Sequence, residues 1–453
     1  MVLANLLIGL LMIYTSSSNT IDEKDSLCKE YDSNNKISDN SLQNGCLENL
    51  HNNCEKNLKI AFFGDHIKSH NTPAYPLVQS LIATGHEIWY FGYIEDKVPI
   101  EKIGGKFFLY PDNKGIGHTS ANMRQVTRNA SGLFNIKILT GLAEIYAPWF
   151  IENFKNEKFD AVIYSFFGIW GNAISKFLNV KSICSNPSWL RKPEMVEITF
   201  TEGKDQQNSI LKSFNDKYHT FYIPTDIITC WNADKVIVYS SQNLFQAALG
   251  SEMPNPDKFF FYNSRVPDPD SLSISKTLSQ GSTIYCTLGT MFNWNEEFYT
   301  SSIKYLSKTD YKLIISAGGN KEIYDKLKTL YHFDNIEIHL FVNQTEILHN
   351  SAVFISHGGP SSFFETLFYR VPIIVVPQGG DQFAIAKAVE KFKIGVDLTK
   401  FKENLDEGIS LAMKEIEANY GLYQKNIENV IRNYLVGKTT EEVTSDITDF
   451  ILT

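Results

Sequence analysis

Basic charge is in short supply. The 453-residue chain sets 42 Lys and Arg against 51 Asp and Glu, a net charge of −9 with a pI near 5.6. That balance argues against nucleic acid or an anionic membrane surface as the main partner. Cysteine is scarce too: there are six, and none has zinc-ligand spacing. Cys28, Cys46 and Cys54 crowd the N-terminal stretch, while Cys184, Cys230 and Cys286 fall in apolar segments, so disulfide connectivity stays open. Long apolar runs are missing except at the start, where Met1 to Tyr14 is followed by Thr-Ser-Ser-Ser. The run is short for a membrane span and matches a signal-peptide core, although it lacks a leading basic residue. It predicts a signal peptide over residues 1–18, with a retained anchor as the alternative. No later segment reaches spanning length, so a secreted or lumenal protein without a stable membrane span is expected.

What is present is an ordinary globular composition, 43% apolar and 21% charged, with length for two or three domains. Residues 19–57 are polar and read as a flexible preface. Strand and helix patterns then alternate. Leu58 to Phe63 is a buried strand, Pro73 to Gly85 a helix with Pro at its start and Gly as its stop, and His86 to Phe91 a second strand. The stretch from Asp96 to about Phe154 reads as helical and irregular. Further strands are expected at Lys181–Pro187 and Lys235–Ser240. A second series opens at Thr283 and continues at Tyr311–Ser316, Glu337–Phe341, Ala352–Ser356 and Ile373–Val376. Pro, Asp and Ser dominate from Pro254 to Gln280, which places a boundary there. The reading is α/β, with two parallel-sheet Rossmann-like domains over 58–265 and 266–453 and a last helix, Thr440 to Leu452, packing back on the first.

The chemistry concentrates at Phe354-Ile-Ser-His-Gly-Gly-Pro-Ser-Ser-Phe-Phe-Glu365 and Pro377-Gln-Gly-Gly-Asp-Gln382. A strand ending in Gly358-Gly359 before a helix presents free N–H groups and a positive dipole end, the ordinary seat of a phosphate. His357, Ser361 and Ser362 can add hydrogen bonds to the same oxygens, and Glu365 can accept from ribose hydroxyls. Asp381 and Gln382 end the neighbouring strand, where ligands of open parallel sheets bind.

This combination resembles the donor signature of the UDP-dependent glycosyltransferases, most closely the macrolide-type branch, which writes His-Gly-Gly-Met-Asn-Ser, a Glu three residues on, and a strand ending Pro-Gln-x-x-Asp-Gln. Here Pro360 stands for the Met and Ser361 for the Asn. The resemblance runs from about Leu58 to the C-terminus. It implies the GT-B fold, two Rossmann-like domains facing each other across a cleft, and a UDP-sugar as co-substrate with no cofactor and no metal. It assigns the donor phosphates to Thr290 as well as to the Gly-Gly turn. Phe341-Val-Asn-Gln344 matches the family's aromatic-x-Pro-Gln, in which the aromatic stacks on uracil, the next residue's backbone (Val342) pairs with the base edge, and Gln344 lies near the ribose. A sequon at Asn343-Gln-Thr345 falls inside this site and is expected to stay unmodified; another is Asn129-Ala-Ser131. Asp268-Pro-Asp270 has a metal-type Asp-x-Asp form but reads as a stiff turn between two prolines.

At the other end, the family's catalytic base is a His three residues before the Pro of the first helix, which selects His70 rather than His66. An imidazole suits proton removal from an acceptor hydroxyl. The family supports that His with an Asp at the end of a later strand, in a stretch resembling Phe159-Asp-Ala-Val-Ile-Tyr-Ser165. Here the position is Ser165, which can orient an imidazole but cannot offset its positive charge. Either the base is weaker, or a carboxylate comes from elsewhere, with Asp65 a candidate; Asp160 is at the wrong end of the strand. The expected function is inverting transfer of a hexose, with glucose suggested by Gln382, to a hydroxyl of a small apolar acceptor. The alternatives are a UDP-sugar or glycoside-binding relative without turnover, and a nucleotide-sugar epimerase.

Overall fold

The computed structural model describes residues 57–111, 132–190, 203–225, 229–250, 255–262, 276–435 and 437–453. The leader, the preface up to residue 56, Cys28, Cys46 and Cys54, the sequon at Asn129, Asp268-Pro-Asp270 and the 265/266 boundary lie outside these residues. Among the described residues no helix is long and apolar enough to cross a membrane.

The N-terminal half starts with β1 (Lys59–Phe63), a one-turn helix α1 (Lys68–Asn71), a 3-10 turn (Thr72–Ala74) and α2 (Tyr75–Ala83). Then come β2 (Glu87–Gly92), α3 (Ile94–Lys102), β3 (Lys106–Leu109), α4 (Gly132–Phe154), β4 (Ala161–Ser165), α5 (Ile169–Leu178), β5 (Lys181–Asn186), α6 (Lys204–Tyr218), β6 (Lys235–Val238), α7 (Gln242–Leu249) and β7 (Phe259–Phe261). Seven parallel strands lie in the order β3-β2-β1-β4-β5-β6-β7. Their near-continuous Val, Ile, Phe and Tyr content is what a sheet covered on both faces requires. The segment expected to be helical and irregular contains β3, and the Pro-rich stretch expected as linker contains β7. Both are edge strands of three or four residues with no alternation to betray them.

The C-terminal half repeats the plan with β8 (Thr283–Thr287), α8 (Glu296–Leu306), β9 (Lys312–Ser316), α9 (Lys321–Leu330), β10 (Ile336–His339), α10 (Gln344–Asn350), β11 (Ser351–Ser356), α11 (Pro360–Tyr369), β12 (Ile373–Val375), α12 (Gln382–Phe392), β13 (Gly395–Asp397) and the long α13 (Leu405–Tyr434). Its six parallel strands follow the order β10-β9-β8-β11-β12-β13. Strand order reverses between β1 and β4 in one sheet and between β8 and β11 in the other. At such switch points the loops diverge and leave a crevice at the carboxyl ends of the strands.

The halves are sewn together by apolar packing and by the last helix. Trp189 of the N-terminal half has its ring 4.7 Å from that of Phe245 on α7 and 5.0 Å from that of Phe363 on α11. Helix α14 (Thr440–Leu452) opens on a capping box, Thr439 with Glu442, and returns to the first half. There Thr444 donates to Ser80 Oγ at 2.9 Å, and Thr448 Oγ1 lies 2.9 Å from His86 Nε2. His86 Nδ1 accepts from the Leu58 amide at 3.2 Å, so its proton sits on Nε2 and is donated to Thr448.

Candidate active site

The loop after β1 builds the first group. Asp65 is fully buried, and its Oδ1 accepts from the Ile67 amide at 2.7 Å, an Asx turn that launches α1. One turn later His70 brings Nδ1 to 3.0 Å from Asp65 Oδ2. The same oxygen accepts from Ser165 Oγ at 2.7 Å, at the end of β4. Burial alone would raise the Asp65 carboxyl, but the charge attraction and hydrogen bond of His70, with help from His66 and Ser165, hold it below its ordinary value. An ionised Asp65 requires the proton of His70 on Nδ1, which leaves the Nε2 lone pair as the basic position. The carboxylate candidate raised by the sequence is therefore the one in contact. Ser165 reaches His70 through Asp65, whose Oδ2 they share.

Behind this pair stands a second acid. Asn71, buried, takes the Asp65 amide on Oδ1 at 3.1 Å and returns Nδ2 to the Asp65 carbonyl at 2.8 Å. The same Nδ2 reaches Asp96 Oδ2 at 3.0 Å, and Tyr75 donates to Asp96 Oδ1 at 2.6 Å. Burial lifts Asp96 to about 7 in spite of those two hydrogen bonds. Asn71, Tyr75 and Asp96 were not singled out in the sequence, because nothing in their spacing announces a shared hydrogen-bond network. Phe166 and Phe167 flank His70, with ring centroids at 4.8 and 5.4 Å, and line the imidazole with apolar surface. Trp149 and Phe150 belong instead to the core around Phe91.

The loops of the C-terminal half gather at the second switch point. Gly358 adopts φ +76°, and an added Cβ would lie 2.5 Å from Val375 Cγ1. A Cβ on Gly359 would lie 2.7 Å from His357 Nε2. Only the double glycine lets the turn close behind the imidazole, and Pro360 then begins α11 at a position where its missing N–H costs nothing. Ser361 and Ser362 occupy the first turn of α11. His357 rests against Gly289 in the turn after β8, where Thr290 is exposed. Desolvation pushes His357 down to about 4 against the opposing pull of Asp381, so it is neutral at physiological pH. Asn293 ties this turn to the one after β9 by donating to the Gly289, Ala317 and Gly318 carbonyls at 3.3, 3.3 and 3.1 Å.

Phe341 lies beyond β10 with 67% of its surface exposed, which rules out a core role. Val342 beside it is half-buried. Gln344 Nε2 donates to Glu365 Oε2, and Tyr285 Oη donates to Gln344 Oε1 at 3.2 Å, so Gln344 and Glu365 form one polar unit. Asn343 is exposed, and its Oδ1 accepts from Thr345 Oγ1 at 2.9 Å. Gln382 folds back: its Oε1 accepts from the Gln378 and Gly379 amides at 2.7 and 3.1 Å, which removes that oxygen from any sugar. Asp381 reaches across to the N-terminal half, accepting on Oδ2 from Ser188 Oγ at 2.7 Å and from the Trp189 amide at 3.1 Å. This bond shows that the carboxyl ends of the two sheets face one another. Cys184, Cys230 and Cys286 are buried free thiols.

Two doubly wound sheets with their switch points opposed are the GT-B fold. Residues 290–434 match the glycosyltransferase family 28 C-terminal domain. The chain is 23% identical over 401 residues to the uncharacterized UDP-glucosyltransferase YojK of Bacillus subtilis, covering 85% of this chain and 92% of that protein. It is 24% identical over 411 residues to the NDP-glycosyltransferase YjiC of the same organism, covering 85% and 97%. Among solved structures, the kitacinnamycin glycotransferase superposes with a TM-score of 0.67 at 17% identity, covering 88% of this chain and all (100%) of that one. The calicheamicin glycosyltransferase CalG4 gives 0.63 at 15%, covering 87% and 98%. These likenesses support a UDP-glycosyltransferase of the macrolide-type branch.

Proposed function

We propose that the protein transfers a hexose, with glucose the first choice, from a UDP-sugar to a hydroxyl of a small apolar acceptor, with inversion at the anomeric carbon. The observation that carries this reading is the 3.0 Å contact of His70 Nδ1 with buried Asp65, which leaves Nε2 as a base. The acceptor oxygen gives its proton to Nε2 and bonds to C1 as the bond from C1 to the β-phosphate oxygen breaks and UDP departs. Asp65 offsets the imidazolium charge. Phe166 and Phe167 supply an apolar bed for the acceptor beside the base. UDP is received by the N-terminus of α11 behind Gly358 and Gly359, with hydrogen bonds from His357, Ser361, Ser362 and Thr290. A neutral His357 contributes hydrogen bonding without charge, so the helix end carries the electrostatic work. Phe341 stacks on the uracil, Val342 meets its edge, and Gln344 with Glu365 takes the ribose. Of the sugar ligands, Asp381 is the one with an oxygen to offer.

The reading of a binding protein without turnover rested on Ser165 standing where a carboxylate is needed and on Ser361 in place of Asn. Asp65 in contact with His70 answers the first of these and leaves the second standing. The test is UDP release from UDP-glucose with and without a panel of phenols, sterols and macrolides, wild type beside His70→Ala, with the anomeric configuration of any product read by NMR. Acceptor-dependent release lost in the variant supports transfer. Release that ignores the acceptor, or survives the substitution, sinks it.

A further inference from the structure

Ser188 and Trp189 belong to the acceptor half, yet they hold the carboxylate through which the donor half would meet the sugar. The grip is built from both sides. On the acceptor side, Asn186 ends β5 fully buried, and its Oδ1 accepts from the Ser188 amide at 2.9 Å, an Asx turn stiffened by Pro187. Trp189 is buried and wedged between Phe245 and Phe363, so the amide that follows Ser188 is fixed to the core. On the donor side, Gln382 Oε1 pins the Gln378 and Gly379 amides, and Asn295 Nδ2 donates to Gln378 Oε1 at 3.0 Å. The Asp381 loop thus has little freedom of its own. Oδ2 accepts two hydrogen bonds, at 2.7 and 3.1 Å, which fill its acceptor capacity and leave Oδ1 for a ligand.

We propose that Ser188, together with the Trp189 amide, is a positioning residue for the donor sugar: it holds Asp381 Oδ2 so that Oδ1 meets sugar hydroxyls, making sugar recognition a joint product of both halves. The proposal rests on the donor site given above. Its consequence is selective. UDP alone touches only the donor half and does not need Ser188, whereas a UDP-hexose does.

Isothermal titration with UDP and with UDP-glucose separates the two, using wild type, Ser188→Ala, Ser188→Thr and Asp381→Ala. Loss of the Ser188 hydroxyl should weaken UDP-glucose by about tenfold and leave UDP within about twofold, since a hydrogen bond to a charged group contributes on that scale. Thr, which keeps the hydroxyl, should recover most of the loss. Equal binding of UDP-glucose by wild type and Ser188→Ala, while Asp381→Ala weakens it, would overturn the role of Ser188 and leave the donor site standing. Parallel loss of UDP and UDP-glucose in Ser188→Ala would make the residue merely structural and also overturn the proposal. Failure of wild type to bind either ligand would overturn the donor site itself, and the proposal with it.

Discussion

Ser165 at the end of β4 donates a 2.7 Å hydrogen bond to Asp65, a residue 100 positions earlier at the end of β1. The carboxylate that the resemblance expects at the end of β4 has a counterpart on the neighbouring strand, and a hydroxyl stands where the acid would be. The two strands are adjacent and in parallel register, Phe63 opposite Tyr164, so their carboxyl ends deliver side chains to one point. Asp65→Asn should lower kcat/KM by about 100- to 1,000-fold with the fold intact, and Ser165→Ala by no more than about tenfold. Ser165→Asp, which writes the family residue back, should lose activity and melting temperature together. It sets a second buried carboxylate against the first, and like charges at that distance cannot both ionise cheaply. A gain of activity in Ser165→Asp would refute the assignment of Asp65.

Asp96 makes stability depend on pH in a stated direction. Its carboxyl is raised from 3.8 to about 7 by burial. Between those values the folded chain keeps a proton that the unfolded chain has released, so stability falls as pH rises through that window. Roughly three pKa units correspond to at most about 4 kcal/mol. Asp96→Asn should therefore gain on wild type between about pH 5 and about pH 8 in urea unfolding, and identical pH slopes would refute the assignment. Asp65 and Glu95 face the same carboxyl, and their negative charges raise it further.

His86 works in the opposite direction. Burial lowers it from 6.5, against the pull of Asp160, and its Nδ1 accepts from Leu58. From 6.5 down to its depressed native value the unfolded chain binds the extra proton, so this contribution is present at higher pH and is lost as pH falls. Protonation also sets an N–H against the Leu58 N–H. Amide exchange in residues 440–452 should quicken on acidification, and His86→Asn should blunt that response. Exchange that ignores both changes would separate α14 from His86.

Glu365 and Gln344 form one hydrogen-bonded unit. Glu365→Ala should weaken UDP by about tenfold or more and abolish any preference for UDP over 2′-deoxy-UDP, since a ribose hydroxyl would lose its acceptor. Phe341→Ala should also cost about tenfold, the scale of base stacking, with the 2′-hydroxyl preference retained. If Glu365→Ala still favours UDP over the deoxy ligand, the ribose is held elsewhere.

Much of this was legible in the linear chain. The interior strands β1, β2, β4, β8, β9 and β11 announce themselves as runs of apolar residues closed by Gly, Ser or Asp. The final helix carries its own cap at Thr439 and Glu442, and its observed span equals the one read from the sequence. His70 and the Gly358-Gly359 turn could be placed because each depends on neighbours within a dozen residues. The short edge strands β3, β7 and β13 were not legible, since three or four residues show no period and their partners lie far along the chain. Phe341 left core and ligand-facing roles equally open until its exposure settled the first.

The sequence by itself determined two parallel-sheet halves and the double-glycine turn before α11, because backbone conformation and hydrophobic period are local properties, while His70 was singled out by the family resemblance. Tertiary structure alone decided that Asp65 and not Ser165 touches His70, that Gln382 spends its oxygen on its own loop, that His357 is neutral, and that Asp381 is held by Ser188 and Trp189. Each of those outcomes is set by desolvation or by a hydrogen bond of about 3 Å, quantities that exist only once distant segments are packed together.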